Sequence, residues 1–128
     1  MNFFFKLNGM RKNIIKEKSF AFALKIVDVT RKIAVLENEY DLTRQLKRSG
    51  TAIGALVRES EHAESKADFI HKLSISLKEA NETEYWIDLL HHSGLMSSEH
   101  YNSVREDAAE LNRILISIIR KSKMTLKN

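Results

Sequence analysis

A chain of 128 residues with no Pro, no Cys and only four Gly, carrying a formal net charge of +4, is the size of one domain and long enough to bury a core. Without Cys there are no disulfides or thiolate metal sites, and the expected home is a reducing compartment, the cytoplasm. No apolar run reaches the roughly 18 residues of a membrane-spanning helix, and Phe3-Phe4-Phe5 is broken by Lys6, too short for a signal-peptide apolar region.

Leu, Ile, Ala, Lys and Glu dominate the rest, which predicts an all-α fold. Residues 1–15 show no sustained period and are expected to form a poorly ordered lead-in, with residues 1–9 adding nothing to the fold. The domain proper is expected over 16–123, with a short tail over 124–128.

Ser19 is a plausible N-cap for a first helix running to about residue 36, stopped by Glu37-Asn38-Glu39. This helix carries two apolar faces. Phe20, Leu24, Val27 and Ala34 form one and are expected to face the core. Phe22, Ile26, Val29, Ile33 and Leu36 form another, nearly opposite. A helix at the edge of a bundle needs only one apolar stripe, so the second must be buried by something else, a neighbouring loop or another subunit, and another subunit is the expectation.

A second helix is expected over about 39–62. At about 100° per residue, Leu42, Leu46, Ser49, Ile53, Leu56, Val57 and Ser60 share one face, and Arg44, Lys47, Arg48, Thr51, Ala55 and Arg58 the opposite one. Gly50 and Gly54 flank the apolar face. Each costs about 1 kcal/mol against Ala in a helix interior, so a packing reason is expected, the close approach of another backbone.

Ser65-Lys66-Ala67-Asp68 has the form of a capping box and opens a third helix to about residue 92, with Gly94 as its stop. Phe69, Leu73, Leu77, Ala80, Ile87 and Leu90 give its core face. Ile75, Trp86 and Leu89 lie on another side, again more apolar surface than a lone bundle uses, and Trp86 joins Phe22, Ile26, Val29 and Ile33 as an expected oligomer contact. Ser97 is the expected N-cap of a fourth helix, whose face Tyr101, Val104, Ala108, Leu111, Leu115, Ile118 and Ile119 is regular to about residue 120. Short links between long amphipathic helices predict an up-down-up-down four-helix bundle.

The charge is uneven: residues 1–36 hold eight Lys/Arg against two acids. Arg44, Lys47, Arg48 and Arg58 are candidate nucleic-acid contacts, electrostatic and without a base-reading motif. The same arginines have the alternative of pairing with acids on a neighbouring helix. Arg31 and Glu84 stand out as opposite charges on otherwise apolar faces, which predicts a buried ion pair between them.

Glu59-x-x-His62 is one formal match to the Glu-x-x-His pairs of di-metal bundles, with Asp68-x-x-His71 and Asp88-x-x-His91 as Asp variants. Two such pairs at one level are required, so neither a metal nor another cofactor is expected. Glu79 and Glu82 are expected on a solvated face, and His91-His92 as a C-terminal helix cap.

Two stretches resemble a known family. Leu46-Lys47-Arg48-Ser49-Gly50-Thr51-Ala52-Ile53-Gly54-Ala55-Leu56-Val57-Arg58-Glu59 is similar to the R-S-(A/G)-x-S-I-x-x-N-(I/V)-x-E segment of the 23S ribosomal RNA intervening-sequence proteins. Asp68-Phe69-Ile70-His71-Lys72-Leu73 and Ser76-Leu77-Lys78-Glu79-Ala80-Asn81-Glu82-Thr83-Glu84-Tyr85-Trp86 resemble that family's later segment. Leu56 stands where a polar residue is common, and Lys78-Glu79 where Gly-Ser is frequent. The resemblance implies a homo-oligomer, since studied relatives form pentameric barrels. It also implies a link to nucleic acid, because one relative is the accessory protein of diversity-generating retroelements and partners a reverse transcriptase. It supplies no catalytic residues.

The expectation is therefore a non-enzymatic, ring-like oligomeric scaffold that binds nucleic acid or a nucleic-acid enzyme and no membrane. The alternatives are a small ferritin-like metalloprotein and a purely structural interaction module.

Overall fold

In the computed structural model, which describes residues 3–126 with side chains from 13 to 125, the chain forms four helices. They are α1 (Phe3–Glu37), α2 (Asp41–Ser60), α3 (Lys66–His92) and α4 (Ser98–Leu126). α1 packs on α2 and α4, and α3 packs on the same two, whereas the backbones of α1 and α3 do not approach within 8 Å, nor do those of α2 and α4, among the described residues.

The helix boundaries follow from local chemistry. Asn38 takes φ +51, the left-handed conformation that Asn tolerates better than most residues, and the Glu39 amide closes back on Ala34 O at 3.2 Å. Ser65 Oγ accepts from the Asp68 amide at 3.0 Å, while the Asp68 carboxylate reaches one residue past the usual box partner, to the Glu64 amide at 3.1 Å. Gly94, at φ +85, ends α3: its amide donates to His91 O and that of Leu95 to Leu90 O, the two bonds of a Schellman stop. Ser97 Oγ accepts from the His100 amide at 3.1 Å and caps α4.

α1 departs from expectation at its start. It is helical from Phe3, so the expected lead-in over 1–15 is helix from that residue on; residues 1 and 2, and the side chains before 13, lie outside the described residues. Ile15 is fully buried. Ser19 is interior to the helix, not its cap, and its hydroxyl donates back to Lys16 O at 3.3 Å. The helix runs through Gly9, and no proline precedes Ser19 to interrupt the backbone ladder. At the other end α4 continues to Leu126, through most of the expected tail.

The larger correction concerns which face of α1 is buried. Phe22, Ile26, Val29 and Ile33, expected to meet another subunit, fill this chain's own core with Leu46, Ile53, Leu73, Ile87, Leu111 and Leu115. The expected core face points outward instead, with Phe20 49% and Leu24 59% exposed. α2 explains the choice. A Cβ on Gly50 would stand 3.0 Å from Ile26 Cγ2, and one on Gly54 would stand 3.3 Å from Ser19 O. The two glycines thus admit the Ile26 side chain and the Ser19 backbone against α2, and that contact turns the Phe22/Ile26 face inward.

Since Ile26 and Ile33 are 0% and 2% exposed, the double variant Ile26→Glu/Ile33→Glu should lose its cooperative helical melt and not yield folded monomers. Ile26→Ala alone should cost about 2–5 kcal/mol in urea unfolding.

Candidate interaction surface

The carboxylates of α3 are gathered by two arginines, one from each neighbouring helix. Arg48 of α2 reaches Glu82 at 2.6 Å and Glu79 at 3.5 Å. The Trp86 indole N–H donates to the same Glu82 Oε1 at 3.2 Å. That bond, with the Arg48 guanidinium, holds the Glu82 carboxyl below the usual carboxylate range against a smaller opposing effect of burial. Ionised Glu82 therefore stabilises the fold above that range, and the contribution fades as pH falls toward the depressed folded value. Beneath this pair Thr83 Oγ1 donates to Ser49 Oγ and Ser76 Oγ donates to Ile53 O, both at 3.0 Å, so α2 and α3 meet through small polar side chains that satisfy one another.

On the other side, Arg105 of α4 lies 3.1 Å from Glu84 and 3.0 Å from Asp88. Tyr101 OH donates to Asp88 Oδ1 at 3.0 Å, and Asn112 Nδ2 to Glu84 Oε1 at 2.8 Å. Burial alone would lower the Arg105 pKa, but the two carboxylates outweigh it and raise the value. The expected Arg31–Glu84 pair is thus not formed: Glu84 is claimed by α4, and Arg31 is exposed on α1, a helix whose backbone does not approach that of α3. Arg105 escaped the sequence reading and Asp88 was weighed there only in an Asp-x-x-His pair, yet a signal for their contact was present. Glu84/Asp88 and Tyr101/Arg105 are both i,i+4 pairs, which places each on one side of its helix.

The four basic residues of α2 divide. Arg48 is tied to α3, the alternative open to it from sequence. Arg58 lies over the Phe20 ring, 4.9 Å from its centroid, and among the described residues Arg44 pairs only within its own helix, with Asp41 at 3.6 Å. Lys47 makes no ion pair among the described residues. With Arg31 these side chains edge a shallow groove between α1 and α2. One hollow, of about 280 Å³, is lined by Val27, Ala34, Val35, Tyr40, Arg44 and Lys47 among others. A second, of about 300 Å³, is lined by Phe20, Ala23, Thr51, Gly54, Ala55 and Arg58.

The remaining candidates are more ordinary. Glu59, His62 and His71 are exposed, and no group of three or more His, Asp or Glu among the described residues is placed to hold a metal ion. His91 shares a hydrogen bond with Met96 O at 3.1 Å through Nδ1 and stacks on Tyr101 with ring centroids 4.1 Å apart. Trp86 is half-buried, with the exposed Tyr85 ring against its edge at 5.1 Å. No described helix is long and apolar enough to cross a membrane.

Fold and surface together define an all-α, four-helix protein whose polar groups cluster in the seams between helices. The family model for the 23S rRNA-intervening sequence protein matches residues 11–117, and the chain belongs to that family. It is similar to a protein of unknown function from the S23 ribosomal protein family of Bacteroides thetaiotaomicron VPI-5482, known from its crystal structure. The two are 47% identical, the match covers 86% of this chain and 98% of that one, and the TM-score is 0.83. No curated protein matches the chain.

Arg105→Ala, which strips two carboxylates of their partner, should cost about 1–3 kcal/mol in urea unfolding, whereas Arg31→Ala should stay within about 0.5 kcal/mol of the parent. Trp86→Phe should raise the Glu82 titration midpoint, followed by carboxyl-carbon NMR, toward the ordinary range; an unmoved midpoint would assign the depression to Arg48 alone.

Proposed function

We propose that this protein is a non-enzymatic scaffold: an up-down-up-down bundle that assembles into a ring-like homo-oligomer and presents basic side chains to an anionic partner, nucleic acid or an enzyme that works on it. The antiparallel sense is supported by the order of the contacts. Ile26 meets Gly50 and Ser19 meets Gly54; Ser49 meets Thr83 and Ile53 meets Ser76; Asp88 meets Arg105 and Glu84 meets Asn112. In every pair one number rises as the other falls.

The observation that carries self-association is the exposure of Leu24 and Tyr85, 59% and 58%, on two helices whose backbones do not approach each other. A ring needs each copy to offer two different surfaces, and apolar residues on α1 and on α3 supply them. Covering such side chains returns roughly 25 cal/mol per Å² of apolar surface. The subunit number favoured, five, comes from the family resemblance and not from this geometry. The acids of α3 are engaged as ion-pair partners of Arg48 and Arg105, which supports a structural use for them over acid-base chemistry.

Light scattering at micromolar concentration is the deciding measurement. The expected mass is a multiple of 14.8 kDa, and Leu24→Glu/Tyr85→Glu, both on exposed positions, should release folded monomers. A monomeric parent would end the oligomer reading, and a dimer or tetramer would end only the number five.

A further inference from the structure

The groove between α1 and α2 combines two features. Its lining is largely apolar and partly exposed, over buried Thr30 and Thr43 whose hydroxyls are satisfied by backbone carbonyls, and its rim holds cations that this chain does not neutralise. Val35 is 73% exposed and Phe20 49%, and Val27 and Ala34 lie between them in the groove floor. From Phe20 to Val35 the groove follows α1 for about 22 Å at 1.5 Å per residue, the length of a helix of about 15 residues. Arg58 stands at one end and Arg44 and Lys47 toward the other. Their one carboxylate partner, Asp41, is 93% exposed and held at 3.6 Å, an interaction worth little.

We propose that this groove receives an amphipathic helix of a partner protein, one with an apolar seam and acidic flanks. The proposal rests on the scaffold reading above and names the anionic partner which that reading leaves open. An apolar seam fits the floor by the ordinary packing of a third helix between two others, and carboxylates on both flanks meet the rim cations. Nucleic acid meets only half of the surface. Phosphates would use the cations, but aliphatic Val27, Ala34 and Val35 offer nothing to bases, and the Phe20 ring, the natural stacking platform, already carries the Arg58 guanidinium. A second copy of this chain brings few free acids on α3 and α4: Glu82 is engaged with Arg48, Glu84 and Asp88 with Arg105, Asp107 with Lys25, Glu110 with Lys18 and Glu106 with Arg113, which leaves Glu99 and the helix-capping Asp68 without an ion pair among the described residues.

The test uses the full chain and fluorescence anisotropy with a labelled synthetic helix of about 16 residues, Leu along one seam and Glu on both flanks. Three further probes are the same peptide with Lys for Glu, a scrambled peptide of the same composition, and a single-stranded RNA. The Glu-flanked helix should bind, and the scrambled and Lys-flanked peptides should bind at least about tenfold more weakly. Arg44→Glu/Lys47→Glu should cost at least about tenfold in affinity for the Glu-flanked helix. Arg120→Glu/Lys123→Glu, an equal charge change on exposed α4 positions, should leave binding unaltered, and Val27→Ser should weaken it without changing the charge. Circular dichroism melts verify that each variant folds.

Equal binding of the scrambled peptide, or equal loss in the α4 variant, would reduce the effect to net charge and overturn the proposal. RNA bound through Arg44 and Lys47 with no peptide bound would give the groove to nucleic acid. No probe bound, together with a fall to monomer mass in Arg44→Glu/Lys47→Glu, would make the groove a seam between copies. A monomeric parent that still binds the Glu-flanked helix would sink the oligomer reading and leave the groove assignment standing.

Discussion

The close approach of α1 and α2 at Gly50 and Gly54 is the contact on which the rest of the molecule depends. At both positions a Cβ would crowd α1, against Ile26 in one case and the Ser19 backbone in the other. A helix interior gives up about 1 kcal/mol for each Gly in place of Ala, and what it gains here is a helix pair close enough for Ile26 to be fully buried. Once Ile26 is inside, the helical period carries Phe22, Val29 and Ile33 with it. Phe20, Leu24 and Val35 are then turned outward, and Lys25 is brought to Asp107 of α4 at 2.6 Å.

Across the bundle the same logic of small residues places α2 on α3. Ser49, Ser76, Ala80 and Thr83 are buried there, and the hydroxyls of Ser49, Ser76 and Thr83 find acceptors on the facing helix or their own. With the backbones this close, a long side chain at the seam must leave sideways, as Arg48 does to reach Glu79 and Glu82. Arg105 does the same from α4. Two cations thereby hold four carboxylates of α3, which keeps that helix from carrying a block of unpaired negative charge. The cost falls elsewhere: the basic residues near the α1–α2 groove have no acids of α3 within reach, and they stay uncompensated.

Much of this was legible in the sequence because it is local. Ser65, Ser97, Asn38 and Gly94 mark helix ends by chemistry that acts over a few residues, and the apolar period of α2 and α4 leaves one inward choice. The packing reason for Gly50 and Gly54 was likewise visible, though not its object. α1 was not legible in the same way. Its two faces are nearly equal in apolar content, so periodicity cannot rank them; the decision is made by the shape of α2, a tertiary contact. The Arg31–Glu84 expectation failed for a related reason. Arg31 looked anomalous only because its face was assigned to the core, and on the outer face it is an ordinary exposed cation. Glu84 has a cross-helix partner, Arg105, but it sits on α4 at a separation that no spacing rule encodes.

The inversion of α1 changes what the molecule can offer its surroundings. Had Phe20, Leu24 and Val27 been inside, the α2 cations would have bordered Phe22, Ile26 and Ile33. At about 100° per residue, Leu24 falls between Arg31 and Val35 on the outward face of α1, about 60° round from Val27, and Ala23, Val27 and Ala34 lie on the flank toward α2, where the cations are. An assembly closed through Leu24 and Tyr85 would therefore border the groove, and a ring and a docked helix would share the outward face of α1. One helix with two apolar faces serves the core with the first. It leaves the second, with Phe20, Leu24 and Val35 exposed, beside the uncompensated cations of α2.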